Sequence, residues 1–468
     1  MADSTSESVS KPEPFHRSFW TANTTELLER AAYYSMASFL VIYLGQLGMG
    51  KYWPSTLNSW LWTLVYFLPI LSGTIADHLG FRKALLIAFG LLAAGYGLMG
   101  APVWFGGAQL SQIPSETFTT PMWIALCVVG AILLIGLGGS VIKPCISGTV
   151  QKTAGKRATV AFAVFYMVIN IGSLVGRGTS YIVRNHSSLV FIFAVAAVYS
   201  IVALLVVWLI YRDPSQDVGT PVVVKPRRPI GRILLDMVLV LRNKRFALFL
   251  LANVGFWFIY NQVYNVVPLY LSRVLETNPR VDIYTMANPF TIVFFQLAVT
   301  KLFGKLKPIV SIVIGTVIIG LSMTVNILPL LFEGGPRVTV WNLLPMGSLF
   351  IVMTVALIAF GELFTSARTY EYIGAQTPKG QEGLFLGYAN LPMALGALAS
   401  GTVGAFIFND IMCRNAVTNE QGLFDLDATY ASLGWGLLML IGFASAALMW
   451  WYNRWVTNNP LPAAEPTN

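Results

Sequence analysis

Apolar stretches of about 20 residues recur along this chain, at 122–141, 187–210 and 431–451 among others. A helix rises about 1.5 Å per residue, so each stretch is long enough to cross a hydrocarbon layer roughly 30 Å thick. Lipid offers the backbone no hydrogen-bond partner. Runs of this kind are therefore helices, which satisfy every N–H and C=O internally. A membrane β-barrel would instead show alternating segments of about ten residues, and none is visible. Composition agrees. The chain is 56% hydrophobic and 11% charged, against about 25% charged for a soluble domain with a wetted surface. The expected class is an all-α membrane protein.

Twelve spans can be drawn, at about 26–48, 55–77, 82–100, 121–147, 159–182, 187–211, 245–272, 284–303, 309–332, 341–366, 384–408 and 430–452. Lys and Arg favour one set of alternate loops, including Arg82, Lys83, Lys152, Lys156, Arg157, Lys301, Lys305, Lys307 and Arg368. By the positive-inside rule that set is cytoplasmic, and so are both termini. The net charge of +9 is then mostly topological, and no nucleic-acid partner is expected. Residues 213–244 carry Pro214, Pro221, Pro226 and Pro229 and read as a cytoplasmic linker. They separate a six-helix bundle at 26–212 from a second at 245–452, with tails at 1–25 and 453–468. Residues 1–17 are polar and lack the apolar run of a signal peptide, so the first span is expected to act as its own insertion signal. Cys127, Cys145 and Cys413 have no metal-ligand spacing and read as packing residues.

Charges inside spans cost several kcal/mol unless paired or hydrated, so they point to function and mark the chain as a transporter. The first span opens Glu26-Leu27-Leu28-Glu29-Arg30-Ala31-Ala32-Tyr33-Tyr34. Helical spacing puts Glu26 beside Glu29 and Arg30, and Arg30 beside Tyr33 and Tyr34. First-turn acids favoured by the helix dipole are the plain alternative, but Arg30 at the same end opposes it. An Arg that exchanges partners between a carboxylate and an arriving anion suits proton coupling. Lys143 interrupts an apolar stretch before Pro144, which is expected to break the helix; snorkelling to the cytoplasmic face is the alternative. Glu362 follows the apolar run 353–361, with Ser366 one turn on. It needs a partner, and Lys143 is a candidate from the other half. For Arg177, in span five, outward snorkelling is the default.

Several of these segments resemble the proton-coupled oligopeptide transporter family of the major facilitator superfamily. They are Glu26-x-x-Glu29-Arg30 with Tyr33-Tyr34, Ile142-Lys143-Pro144-Cys145 and Phe165-Tyr166-x-x-Ile169-Asn170-x-Gly172-Ser173-Leu174. Asn288-Pro289 and Gly361-Glu362-Leu363, with Glu371-Tyr372 and Pro378 downstream, add to them. The segment 73–83, containing Asp77 and Arg82, is similar to the general facilitator loop between spans two and three, a gating element. The matches run in order from about 26 to 401.

The resemblance implies a major facilitator fold of twelve helices in two halves, with the substrate site between them. It implies a multi-pass cell-membrane protein that imports di- and tripeptides with protons as the coupling ion. No cofactor or metal is implied, no partner beyond lipid, peptide and proton, and no need of an oligomer. Arg30 and Lys143 would hold the peptide carboxylate and Glu362 its ammonium. Tyr33, Tyr34, Tyr66, Asn170 and Asn288 would hydrogen-bond the peptide, and Glu26 and Glu29 would carry the proton with Arg30 as their switchable partner. The chain departs from the family at Ala389, where a Trp is frequent, at Ala31, where an aromatic is common, and at Asn261, where an acid is frequent. It also has no room for the two extra helices of many bacterial relatives. Trp257 and Tyr260 read as packing or as pocket lining. The rival readings are a symporter of the same family for nitrate or a modified amino acid, and a facilitator-fold sensor that does not transport. No catalytic cluster supports an enzyme.

Overall fold

A computed structural model describes residues 14–214, 241–376 and 388–459, with positions 231, 235 and 239 between them. Among the described residues, ten helices are long and apolar enough to cross a membrane, from Phe81–Trp104 to Ala428–Asn458. Two further helical stretches precede them, each interrupted once: Arg17–Ala37 with Leu40–Gln46, and Trp53–Phe67 with Pro69–Leu79. The protein is therefore a helical, multi-pass membrane protein.

The first span starts at Arg17, nine residues before its expected boundary of 26. Hydropathy misses this start because 17–25 is polar. The polar side chains bond back to their own helix instead of demanding water. Thr21 Oγ1 donates to Arg17 O at 2.9 Å, Asn23 Nδ2 to Phe19 O at 2.8 Å and Thr25 Oγ1 to Ala22 O at 2.8 Å. The tenth span starts at Met346 rather than 341. The residues before it form a short hairpin in which Thr339–Val340 pairs with Leu344–Pro345. Most of 213–244 lies outside the described residues. The seventh span begins at Lys244, where the Asn243 side chain accepts from the Arg245 and Phe246 amides. The last helix continues to Asn458.

Two prolines are accommodated by named acceptors. Pro144 does not break its helix, which runs unbroken over Met122–Thr153. The ring removes the hydrogen bond that Ser140 O would receive, and Ser72 Oγ from the second span donates to that carbonyl at 2.7 Å. Pro268 does the same to Tyr264 O, which instead accepts Asn58 Nδ2 at 3.0 Å. Here the helix is distorted, with a 3₁₀ turn at Asn261–Tyr264 and a π turn at Leu271–Leu275.

Glycines set the close approaches that matter for the site. A Cβ on Gly172 would lie 2.7 Å from Leu27 O and 2.8 Å from Arg30 Cβ, and one on Gly176 would lie 2.3 Å from Ala31 O. Small residues four apart let two membrane helices touch backbone to backbone. Span five thereby seats the charged face of span one. Gly401 does the same between the halves, since its Cβ would meet Ser55 O at 2.1 Å.

Hydrogen bonds and ion pairs between the halves gather toward the end that the charge bias assigns to the outside. Lys51 Nζ pairs with Asp410 at 3.1 Å, and Arg184 Nε with Asp282 at 3.5 Å. Ser38 and Thr285 share a hydrogen bond at 3.0 Å, and Thr56 and Thr402 another at 3.1 Å. Deeper in, Asn58, Asn265, Ser59 and Ser400 form a neutral network in which Asn58 Nδ2 donates to Asn265 Oδ1 at 2.9 Å and Asn265 Nδ2 donates to Ser400 Oγ at 3.1 Å.

Candidate functional site

The first-span cluster is buried and asymmetric. Arg30 and Glu29 form a two-pronged pair, with Nε on one carboxylate oxygen and a terminal nitrogen on the other at 2.7 Å. Arg30 Nε is also 3.6 Å from Glu26 Oε1, too long for a hydrogen bond. Glu26 is fully buried, and neither of its oxygens has a hydrogen-bond partner among the described residues. An ionised carboxylate without donors in such a place costs several kcal/mol. Arg30 also lies over two rings, 5.4 Å from the Tyr33 centroid and 5.9 Å from that of Tyr34.

An aromatic chain carries this cluster to the other half. Tyr33 meets Trp62 edge-on at 5.6 Å, Trp62 stacks on Tyr66 at 5.5 Å, and Trp62 reaches Tyr264 of the seventh span at 4.7 Å. The Tyr33 hydroxyl and the Trp62 indole N–H are buried without partners among the described residues. Such donors are costly to leave unmet, and a bound polar ligand or water would satisfy them.

Lys143 and Glu362 approach from opposite halves but do not pair. Lys143 Nζ sits over the Tyr66 ring at 5.3 Å. Glu362 accepts long contacts of 3.5 Å from Asn288 Nδ2 and from Ser366 Oγ. No ion pair joins the two among the described residues, so the expected Lys–Glu pairing is not formed. Asn288 thus joins the Glu362 group. Asn170 is buried with its amide nitrogen turned back to Tyr166 O at 2.9 Å. Trp257 and Tyr260 are buried and meet edge-on at 5.3 Å.

The remaining expected residues lie elsewhere. Arg82 is at the opposite end from the outer ion pairs, with a terminal nitrogen on Trp208 O at 2.6 Å and its amide on Asp213 Oδ1 at 3.1 Å. The backbone of Asp77 is in the helix Pro69–Leu79, and its side chain lies outside the described residues. Arg177 does not snorkel. It is fully buried between the halves, because hydroxyls from both sides meet it there. Sequence reading missed the Arg184–Asp282 pair, in which Arg184 also donates to Asn278 at 2.5 Å. It also missed the amide network around Asn265. Uncharged polar residues in spans carry little signal, and the partners of Arg184 lie about 100 positions away.

Comparison with known proteins agrees with this architecture. The family model for the Major Facilitator Superfamily matches residues 19–401. A Drosophila melanogaster protein named Peptide transporter family 1 is 33% identical over 38% of this chain and 23% of its own length. Dipeptide and tripeptide permease B of Photorhabdus asymbiotica is 26% identical over 57% of this chain and 49% of its own. Dipeptide and tripeptide permease A of an Enterobacter species is 28% identical over 55% and 47%. The chain's matches thus span about half the length of these curated relatives or less. Among solved structures, a POT family transporter in complex with 5-aminolevulinic acid has a TM-score of 0.72 at 19% identity, covering 95% of this chain and 96% of that one. A peptide transporter POT in complex with sulfate has a TM-score of 0.69 at 18% identity, covering 95% of each chain. Twelve helical stretches among the described residues, with a polar site between two halves, and a family match spanning most of the length lead to one assignment: the chain belongs to the Major Facilitator Superfamily.

Proposed function

We propose that the protein is a proton-coupled symporter of the oligopeptide transporter family, which imports di- and tripeptides by alternating access with both termini in the cytoplasm. The observation that carries this reading is the division of labour around Arg30. Glu29 holds the guanidinium by two hydrogen bonds, while Glu26 lies 3.6 Å away with no donor of its own. A proton on Glu26 relieves the cost of its buried charge. Moving that proton changes the field at Arg30 and its hold on a substrate carboxylate. Lys143 and Glu362 supply unpaired charges of opposite sign on opposite halves, suited to the carboxylate and ammonium of a zwitterion. The outer ion pairs and the neutral network at Asn265 would close the outer face. The rival solute, nitrate, has no cation to occupy Glu362.

Uptake of a labelled dipeptide into proteoliposomes under an inside-alkaline pH gradient tests the proposal. Accumulation that a protonophore abolishes is the expected result. No gradient-dependent accumulation of several unrelated dipeptides, with nitrate or an amino-acid derivative accumulating instead, would sink it.

A further inference from the structure

The transport reading leaves Arg177 unused, and Arg177 is costly to keep. Its side chain is fully buried. Its Nε donates to Thr285 Oγ1 at 3.0 Å, one terminal nitrogen donates to the Tyr264 hydroxyl at 3.1 Å, and the other donates to Ser173 Oγ. Its guanidinium lies 4.5 Å from the Tyr34 ring centroid. All of these partners are neutral. Among the described residues no carboxylate pairs with it. A buried guanidinium normally acquires an acid, because its fork of donors matches a carboxylate's two oxygens.

The position of Arg177 relative to the proposed site is regular. Ser173 is three residues after Asn170, Thr285 three before Asn288, and Tyr264 four after Tyr260. Ser173 and Thr285 therefore each lie about 4.5 Å along the helix axis from a residue at the site, on its outer side. Tyr34 joins the two layers, with Arg30 at 5.9 Å and Arg177 at 4.5 Å from the same ring. Thr285 and Tyr264 belong to the second half. If the halves part at the outer end, as alternating access requires, Arg177 would lose both and face the entry path with Ser173 and Tyr34.

We propose that Arg177 is a specificity-determining residue that binds an acidic side chain of the transported peptide, one turn outward of the groups that hold its terminal carboxylate. The proposal rests on the peptide-symport reading. In the closed empty protein, the hydroxyls of Ser173, Thr285 and Tyr264 stand in for the missing carboxylate oxygens. A C-terminal Glu presents two carboxylates a few ångströms apart, one for Arg30 and Lys143 and one for Arg177.

The test is KM for proton-driven uptake of Ala-Glu and of its uncharged isostere Ala-Gln, in proteoliposomes carrying the full chain. The wild type should take Ala-Glu at the lower KM. Arg177→Gln should collapse that ratio by roughly tenfold or more, the range of a lost charge-assisted hydrogen bond. Arg177→Lys should keep part of it, because it keeps the charge without the fork, and this variant decides the question if Arg177→Gln does not fold. A wild-type ratio that Arg177→Gln leaves unchanged, with uptake intact or lowered equally for both peptides, overturns the proposal and makes Arg177 a neutral bridge between halves. Failure of the wild type to accumulate either peptide overturns the symport reading itself, and the role of Arg177 falls with it.

Discussion

Glu26 Oε1 lies 3.6 Å from Arg30 Nε, yet Glu26 receives no hydrogen bond from any described residue, while its neighbour Glu29 takes both prongs of the same guanidinium. Two acids on one helical face are thus made unequal by where the fork of Arg30 points. The bonded acid fixes Arg30 in place. The unbonded acid is free to exchange a proton without dismantling a hydrogen bond. Such a pair, one holding group and one exchanging group around a single cation, suits proton coupling.

The unpaired charges on Lys143 and Glu362 give a selective prediction. Glu362→Gln should raise KM for free-amine dipeptides by about tenfold or more, the scale of a charge-assisted hydrogen bond, and should change KM for N-acetylated dipeptides little. Lys143→Gln should do the converse with C-terminally amidated peptides. Competition uptake with the blocked peptides checks both. Equal loss for free and blocked forms would argue against the clamp.

The two outer ion pairs should differ in weight. Arg184 and Asp282 are 5% and 0% exposed at their side chains, whereas Lys51 and Asp410 are 29% exposed each. Removing one partner of a buried pair strands the other and costs about 3–5 kcal/mol. A partly exposed pair contributes about 1 kcal/mol or less. Asp282→Asn should therefore open the outer face far more than Asp410→Asn. A cysteine placed at Tyr264, with Cys127, Cys145 and Cys413 replaced, reports this by its labelling rate with an impermeant thiol reagent. Equal rates in the two variants would contradict the ranking.

Gly176 fixes the seat of the charged helix. A methyl there would lie 2.3 Å from Ala31 O, and neither backbone can yield cheaply. Gly176→Ala should lower Tm in detergent by several degrees, in line with an overpacking cost of roughly 1–3 kcal/mol. It should also slow uptake of every peptide alike. The same change at Gly436, where a methyl would have nothing within 4 Å, should leave Tm nearly unchanged.

Much of the fold was legible because lipid enforces it. Length and hydropathy place most spans, and the cost of buried charge singles out Glu26, Glu29, Arg30, Lys143 and Glu362. What sequence could not supply was pairing. Lys143 and Glu362 look like partners when only the in-span charges are compared, yet they stand apart, because Tyr66 takes the Lys143 ammonium and Asn288 with Ser366 meets the Glu362 carboxylate. Arg177 looks like a snorkelling residue near a span's end, yet hydroxyls from span eight and span seven hold it inside. Pro144 looks like a break, yet one serine from a neighbouring helix repairs it. In each of these three cases a neutral residue on another helix makes the deciding contact.

Proton movement with and without Glu26 tests the account most directly. Proteoliposomes loaded with a pH-sensitive dye, given external dipeptide and no imposed gradient, should acidify inside with the wild type. Glu26→Gln should abolish that acidification while still exchanging labelled for unlabelled dipeptide across the membrane. Undiminished peptide-driven acidification by Glu26→Gln would contradict the assignment of Glu26 as the proton carrier.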